Sequence, residues 1–365
     1  MSEIRSAADT VISPRLTTWL TIVRDRGGSD LYLVSGASPS IRVRGQIEAL
    51  EEPAMESVDI ETIALSAMPA HAQAAYLAHG LADASFRDGT LGRFRVNLHR
   101  ERGRSAASIR ALPLHPPLLS ELNLPPAVEA LTELRSGLVL VGGPTGSGKS
   151  TTVAALVDLI NRRDARHIVT IEDPIEYDHP HRRSIVEQVE IGLDAPDFPT
   201  ALRSAVRQSP DVIVVGEMRD PETMRIALAA AETGHLVLST VHTTDVASTV
   251  SRVADSFPPE RQNTIRQELA MAAAAFLTQT LLPRQGGGLV PAAELLMVGY
   301  GARQHIRKNA LQHLHQEITI TRRNGSFSLE ESLARLVKEG LVERRDAQTR
   351  AVHQEEFDQL CPQKP

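Results

Sequence analysis

The chain has 365 residues, 42% hydrophobic and 23% charged, with 45 acidic against 39 basic side chains and a formal net charge of −6. That length suits two hydrophobic cores, and the acidic balance gives no overall electrostatic footprint for nucleic acid. A single cysteine, Cys361, excludes an intrachain structural disulfide and a thiolate zinc cluster. No apolar run approaches the ~18 residues that span a bilayer, and the N-terminal MSEIRSAADTVISPRL has no apolar core of signal-peptide length. The expectation is a cytoplasmic protein whose membrane role, if any, passes through partners.

Leu16, Trp19, Leu20 and Val23 recur at helical spacing and mark one face of a first helix, closed by Gly27-Gly28. A strand-rich region follows. Alternation around Gly45 in SIRVRGQIEAL (40–50) predicts a hairpin, and Asp88-Gly89 and Arg102-Gly103 mark further turns. Residues 57–80 read as helical with a break at Pro69, so the expected first domain (1–112) is an α+β unit with an antiparallel sheet and helices on one side. Five prolines in LPLHPPLLSELNLPP (112–126) predict a semi-rigid linker over 113–126.

From 127 to 365 the pattern changes. The apolar strands GLVLVGG, HIVTI, DVIVVG and HLVLSTVH alternate with amphipathic helices, the pattern of an α/β fold with a parallel sheet covered on both faces. Asp220 caps a predicted helix that Pro221 opens and Gly234 ends, with Met224, Ala227, Leu228 and Ala231 on one face. The last hundred residues read as mostly helical, including a capping box Ser328-x-x-Glu331 and a stop at Gly340.

GPTGSGKS (143–150) matches the G-x-x-x-x-G-K-[ST] phosphate loop in the context the motif requires, after an apolar strand and before a helix carrying Val153, Leu156, Val157 and Ile160. Gly143, Gly146 and Gly148 let the backbone wrap a phosphate, with Pro144, Thr145, Ser147 and Thr151 completing the loop. Lys149 would reach the β- and γ-phosphates of ATP, and the Ser150 hydroxyl would ligate Mg²⁺. Such a site needs carboxylates at the carboxyl edge of the sheet. DVIVVGE ends in Glu217, a candidate for hydrated Mg²⁺, with Gly216 where the common version places Asp. TIEDPIE offers Glu172, Asp173 and Glu176 beside the turn at Pro174; a carboxylate there could polarise water as general base. By themselves both clusters also read as solvated strand ends.

GPTGSGKSTT, TIEDPIEY, VGEMRDPETM and ETGHLVLSTVHTTD occur in the order found in secretion-system and type IV pilus motor ATPases, and the chain resembles that superfamily. GSDLYL (28–33) and GRFRVN (92–97) extend the resemblance into the first domain. It looks most like the pilus-retraction branch, because one cysteine cannot build the four-cysteine zinc insert of the larger assembly and secretion branch. GARQHIRK (301–308) is similar to that branch's late box in Ala302, Arg303, Ile306 and Arg307, but has Gln304 for Asn and His305 for an apolar residue; Tyr32 stands where His is common.

The resemblance implies a RecA-like P-loop ATPase core with a helical C-terminal part behind a PAS-like N-terminal domain. It also implies a homohexamer that binds ATP where the two domains meet, and an inner-membrane platform protein as partner. Arg95 and Arg110 match its N-terminal-domain arginines, an arginine-finger role toward the γ-phosphate. Arg203, Arg207 and Arg219 are weaker candidates for the same duty. His235 and His242 cannot share a metal. In a strand their spacing spans ~23 Å and in a helix ~10 Å, whereas each zinc ligand lies ~2 Å from the ion. His242, with Thr243 beside it, is placed to sense the γ-phosphate; His235 at the other strand end reads as structural. A nucleic-acid motor is the competing class, disfavoured by the charge balance and few aromatics; a catalytically weak partner subunit is another, disfavoured by the retained Lys149, Ser150, Glu172 and Glu217.

Overall fold

The computed structural model describes residues 12–362, so most of MSEIRSAADTVISPRL, over which no signal-peptide core is expected, lies outside the described residues. The chain divides into two compact units. One comprises residues up to His115 with Asp173–Asp178 and Gly192–Asp194; the other comprises Pro116–Glu172, His179–Ile191 and the chain from Ala195 onward.

The first unit contains α1 (Pro14–Asp25), β1 (Gly28–Val34), β2 (Ser40–Val43), β3 (Gln46–Ala49), α2 (Ser57–Ser66), α3 (Ala70–His79), β4 (Leu81–Asp88), β5 (Gly92–Glu101) and β6 (Arg104–Ala111). Its six-stranded sheet runs β3-β2-β1-β6-β5-β4, with every pairing antiparallel. Arg44-Gly45 and Arg102-Gly103 take positive φ at both residues, the two-residue hairpin turn whose twist suits the flanking strands. Period-two alternation sends Leu31, Leu33, Phe94, Val96, Leu98 and Ile109 to one buried face, where Leu16, Trp19, Leu20, Ile60 and Tyr76 of the helices pack on them. The opposite face carries Asp30, Arg110 and Arg95 in register across β1, β6 and β5. The segment Asp173–Asp178 joins this unit through Asp178, which pairs with Arg87 (3.6 Å) and Arg93 (3.8 Å).

The second unit contains β7 (Gly137–Gly142), α4 (Lys149–Arg163), β8 (His167–Glu172), β9 (Ile185–Glu190), α5 (Phe198–Ala205), β10 (Val212–Val215), α6 (Pro221–Glu232), β11 (Leu236–Val241), α7 (Val246–Asp255), α8 (Pro259–Ala272), β12 (Ala273–Pro283), β13 (Leu289–Met297) and, C-terminal to these, α9 (Tyr300–Arg307), α10 (Leu314–Ile320), α11 (Leu329–Lys338), α12 (Arg344–Arg350) and α13 (Gln354–Leu360). The seven-stranded sheet runs β13-β12-β7-β11-β10-β8-β9, parallel except for the β12–β13 pair. Leu138 and Leu140 face one core with α5 to α8, while Val139 and Val141 face the other with α4. The fold is α/β with a mostly parallel sheet, as the strand–helix alternation predicts.

The structure changes one expectation and adds two features. Within the last hundred residues, read as mostly helical, 273–297 form the β12–β13 hairpin turned by Gly286, Gly287 and Gly288, all at positive φ. The run AAAFLTQTLLP is apolar on both faces, so it carries no period-two signal, and its alanines favour helix until pairing with β7 overrides them. The C-terminal helical part thus begins at α9. Within the proline-rich stretch, read as a semi-rigid linker, Leu119–Leu122 forms a turn of 3-10 helix, Leu124 is buried, and Leu119 and Leu122 pack against the same core as α4. β9, absent from the sequence reading, is the outer parallel strand beside β8.

Candidate functional site

The parallel strands end on one edge, and the site is assembled there. β7 leads through Gly142-Gly143 into the loop, and α4 starts at Lys149. Glycine is required at both strand-end positions. A Cβ on Gly142 would lie 2.5 Å from Thr243 Oγ1 and 2.9 Å from Thr249 Oγ1, and one on Gly143 would collide with Ser147 Oγ and lie 2.6 Å from Gln279 O. Gly146 and Gly148 take φ of 76° and 88°, a conformation that curls the loop ahead of the helix N-terminus. Ser147 Oγ is buried with no hydrogen-bond partner among the described residues, and Ser150 is exposed on the first turn of α4. A cradle closed at its base, with a helix N-terminus at its mouth, fits an anion of phosphate chemistry.

Lys149 is buried, its Nζ donating to Gly143 O (2.9 Å) and Pro144 O (3.0 Å) and standing 3.4 Å from His242 Nδ1. His242 Nε2 lies 3.1 Å from Glu217 Oε1, and Arg219 is 2.7 Å from the other carboxylate oxygen. With the Nε2 proton donated to Glu217, His242 Nδ1 is left to accept from Lys149. Burial opposes ionisation of Glu217, but Arg219 and then His242 outweigh it and hold the carboxyl below its usual range. Lys149, His242, Glu217 and Arg219 therefore form one linked polar line across the strand ends.

β11 lies between β7 and β10, so Glu217 is two strands from the phosphate loop and Glu172 three, ~10 and ~14 Å at the usual strand spacing. Glu172 Oε1 accepts from Thr170 Oγ1 (2.7 Å) and Gln188 Nε2 (3.2 Å). A Cβ on Gly216 would sit 3.3 Å from Ile171 O and 3.5 Å from Glu172 Cα, so the absence of the usual Asp brings the β10 end close against Glu172. Thr240 Oγ1 donates to Gly216 O (2.6 Å), holding that strand end to β11.

Other sequence candidates lie elsewhere. Arg95 and Arg110 belong to the first unit. Arg95 forms a two-point pair with Asp83 (3.0 and 2.9 Å), and Arg110 pairs with Asp30 (2.9 Å). Asp83 is the main cause that raises the Arg95 pKa against the opposing effect of burial, and Asp173 and Glu176 add to it. Arg203 pairs with Glu222. His235 stands at the far end of β11, where its Nδ1 is 3.0 Å from Ala230 O at the end of α6. Arg303 donates to Ala270 O (2.5 Å) and Met271 O (2.7 Å), closing the end of α8. Tyr32 receives a hydrogen bond from Arg42 Nε (2.9 Å).

Sequence reasoning missed Gln279 of β12. Its amide touches both the phosphate loop and α4, with Nε2 to Ser147 O at 2.6 Å and Oε1 from Thr152 Oγ1 at 2.9 Å. The available signal was the polar triplet Thr278-Gln279-Thr280 inside an apolar run.

Residues 119–358 match the family model described as type II/IV secretion system protein. The chain is 38% identical over 342 residues to the type IV pilus retractation ATPase PilT of Pseudomonas aeruginosa, covering 94% of this chain and 99% of that one. It is 38% identical over 325 residues to a twitching motility protein of Neisseria gonorrhoeae, covering 89% and 87% respectively. A solved structure of the pilus retraction motor PilT with bound ADP superposes with a TM-score of 0.85 at 41% identity, covering 93% of this chain and 98% of that one. With the phosphate loop and its polar line on one sheet edge, the chain belongs to the type II/IV secretion system protein family and is an ATPase.

Proposed function

We propose that this protein is the hexameric, cytoplasmic motor that powers type IV pilus retraction, acting on a platform protein at the inner membrane. The observation that carries the reading is the near full-length similarity to a pilus retraction ATPase, supported by the line Lys149–His242–Glu217 beside the phosphate loop. In this reading 143–151 wraps the phosphates of ATP and Lys149 neutralises the β- and γ-oxygens. Ser150 and Glu217 supply oxygen ligands suited to Mg²⁺, Glu217 through water. Glu172 or Glu217 takes the proton of the attacking water, and His242 senses the γ-phosphate and relays its presence to Glu217. Arg95 and Arg110 act as arginine fingers across a domain or subunit boundary. Hydrolysis then changes the angle between the N-terminal domain (1–112) and the ATPase domain (127–365), and that movement is the mechanical output.

Deleting the gene in the source organism and scoring surface pili and twitching tests the reading. Excess pili without movement is the expected result. Loss of pili would point to assembly instead, and normal pili with normal movement would point to another secretion machine.

A further inference from the structure

Gln279 sits on β12, whose neighbour β7 feeds the phosphate loop, and its side chain is buried. Ser147 O can only accept, so the amide must turn Nε2 toward it; Oε1 is then left for the Thr152 hydroxyl. Thr152 is itself buried on the first turn of α4. One side chain thus ties the loop backbone, the helix and the adjoining strand together. The peptide group is planar and trans, so fixing the direction of the Ser147 carbonyl also fixes the Gly148 N–H, which points the opposite way. At Gly148 the backbone is at φ 88° and a Cβ would stand 3.1 Å from Gln279 Nε2, so the loop runs directly over the amide.

We infer that Gln279 is a positioning residue for nucleotide binding: by holding Ser147 O from behind, it aims the Gly148 N–H into the phosphate cradle. This rests on the reading of 143–151 as the ATP phosphate site. The donor is needed equally for ADP and ATP, so its loss weakens ground-state and transition-state binding together. That signature is a raised KM with kcat retained.

The test uses the full chain, a fluorescent ADP analogue for affinity and steady-state ATP hydrolysis. Gln279→Glu keeps the shape but sets an acceptor against Ser147 O. It is expected to weaken ADP binding and raise KM on the order of tenfold or more, with kcat within ~3-fold. Thr152→Val, which removes only the anchor of the amide, is expected to reproduce part of the effect, and Thr152→Ser to restore affinity. Circular dichroism confirms that each variant is folded; if Gln279→Glu does not fold, the Thr152 pair carries the test. Unchanged ADP affinity in folded Gln279→Glu, or a lowered kcat at unchanged KM, overturns the inference. If Gln279→Glu does not fold, equal affinity for Thr152→Val and Thr152→Ser overturns it. Failure of the unsubstituted protein to bind ADP overturns the phosphate-site reading itself, and the inference with it.

Discussion

Two glutamates on the carboxyl edge compete for the same chemical duty, and their surroundings differ. Glu217 is tied to His242 and Arg219 and reaches Lys149 through the histidine. Glu172 is held through Oε1 by Thr170 and Gln188 and stands one strand further out. Glu172→Gln and Glu217→Gln are each expected to lower ATP turnover by at least ~100-fold, the usual scale for losing a general base or a metal-water ligand. Both should still bind nucleotide, since neither belongs to the loop. Turnover assays alongside ADP titration check this. Near-normal hydrolysis by Glu172→Gln would leave Glu217 as the base. The residues of the loop itself were legible because the motif is local. His242 was legible because strand ends collect on one edge; Gln279 was not, because its partner Ser147 lies 132 positions away.

At the scale of elements, the β12–β13 hairpin does more than extend the sheet. Glu294 of β13 is half-buried, accepting from Val246 N at the start of α7 (3.1 Å) and from Thr278 Oγ1 of β12 (3.3 Å). Burial pushes its pKa up to about 7 against the opposing Val246 hydrogen bond, and Asp245 adds to the rise. The folded protein therefore keeps this proton between an ordinary value of 4.5 and about 7, while the unfolded chain has lost it. Stability must fall as pH rises through that window. Glu294→Gln removes the titration, so its stability relative to the unsubstituted protein should be smallest near pH 4.5. The difference should grow by about 1–3 kcal/mol on reaching pH 8. Urea denaturation of both proteins at pH 5 and pH 8 measures the difference, and parallel stabilities at the two values would refute it. The helices were easier to read than this hairpin. Asp220 and Ser328 cap α6 and α11 with side-chain hydrogen bonds, signals that lie within three residues of the helix start.

For the whole molecule, the division into two units puts the candidate chemistry on two bodies. The phosphate loop, Glu172, Glu217 and His242 belong to one, and Arg95 and Arg110 to the other. Each arginine is held by a carboxylate of its own sheet, Asp83 or Asp30, so an approaching phosphate must compete with that pair. If the proposed ring assembles and Arg95 acts across subunits, rings mixed from Arg95→Ala and Lys149→Ala subunits should regain ATPase activity that neither variant shows alone. No recovery at any mixing ratio counts against action across subunits.

The sequence by itself determined the chemistry and the class of fold. The phosphate loop, the acidic strand ends, the caps and the alternation of apolar strands with amphipathic helices are all written within windows of a few residues, where spacing dictates geometry. Tertiary structure decided the rest. It set β11 between β7 and β10, which ranks His242, Glu217 and Glu172 by distance from the loop. It turned an alanine-rich run into the strand that braces that loop through Gln279, and it drew Asp173–Asp178 into the other unit. Strand order and domain membership depend on pairings between residues far apart in the chain, and no local periodicity encodes which distant partner wins.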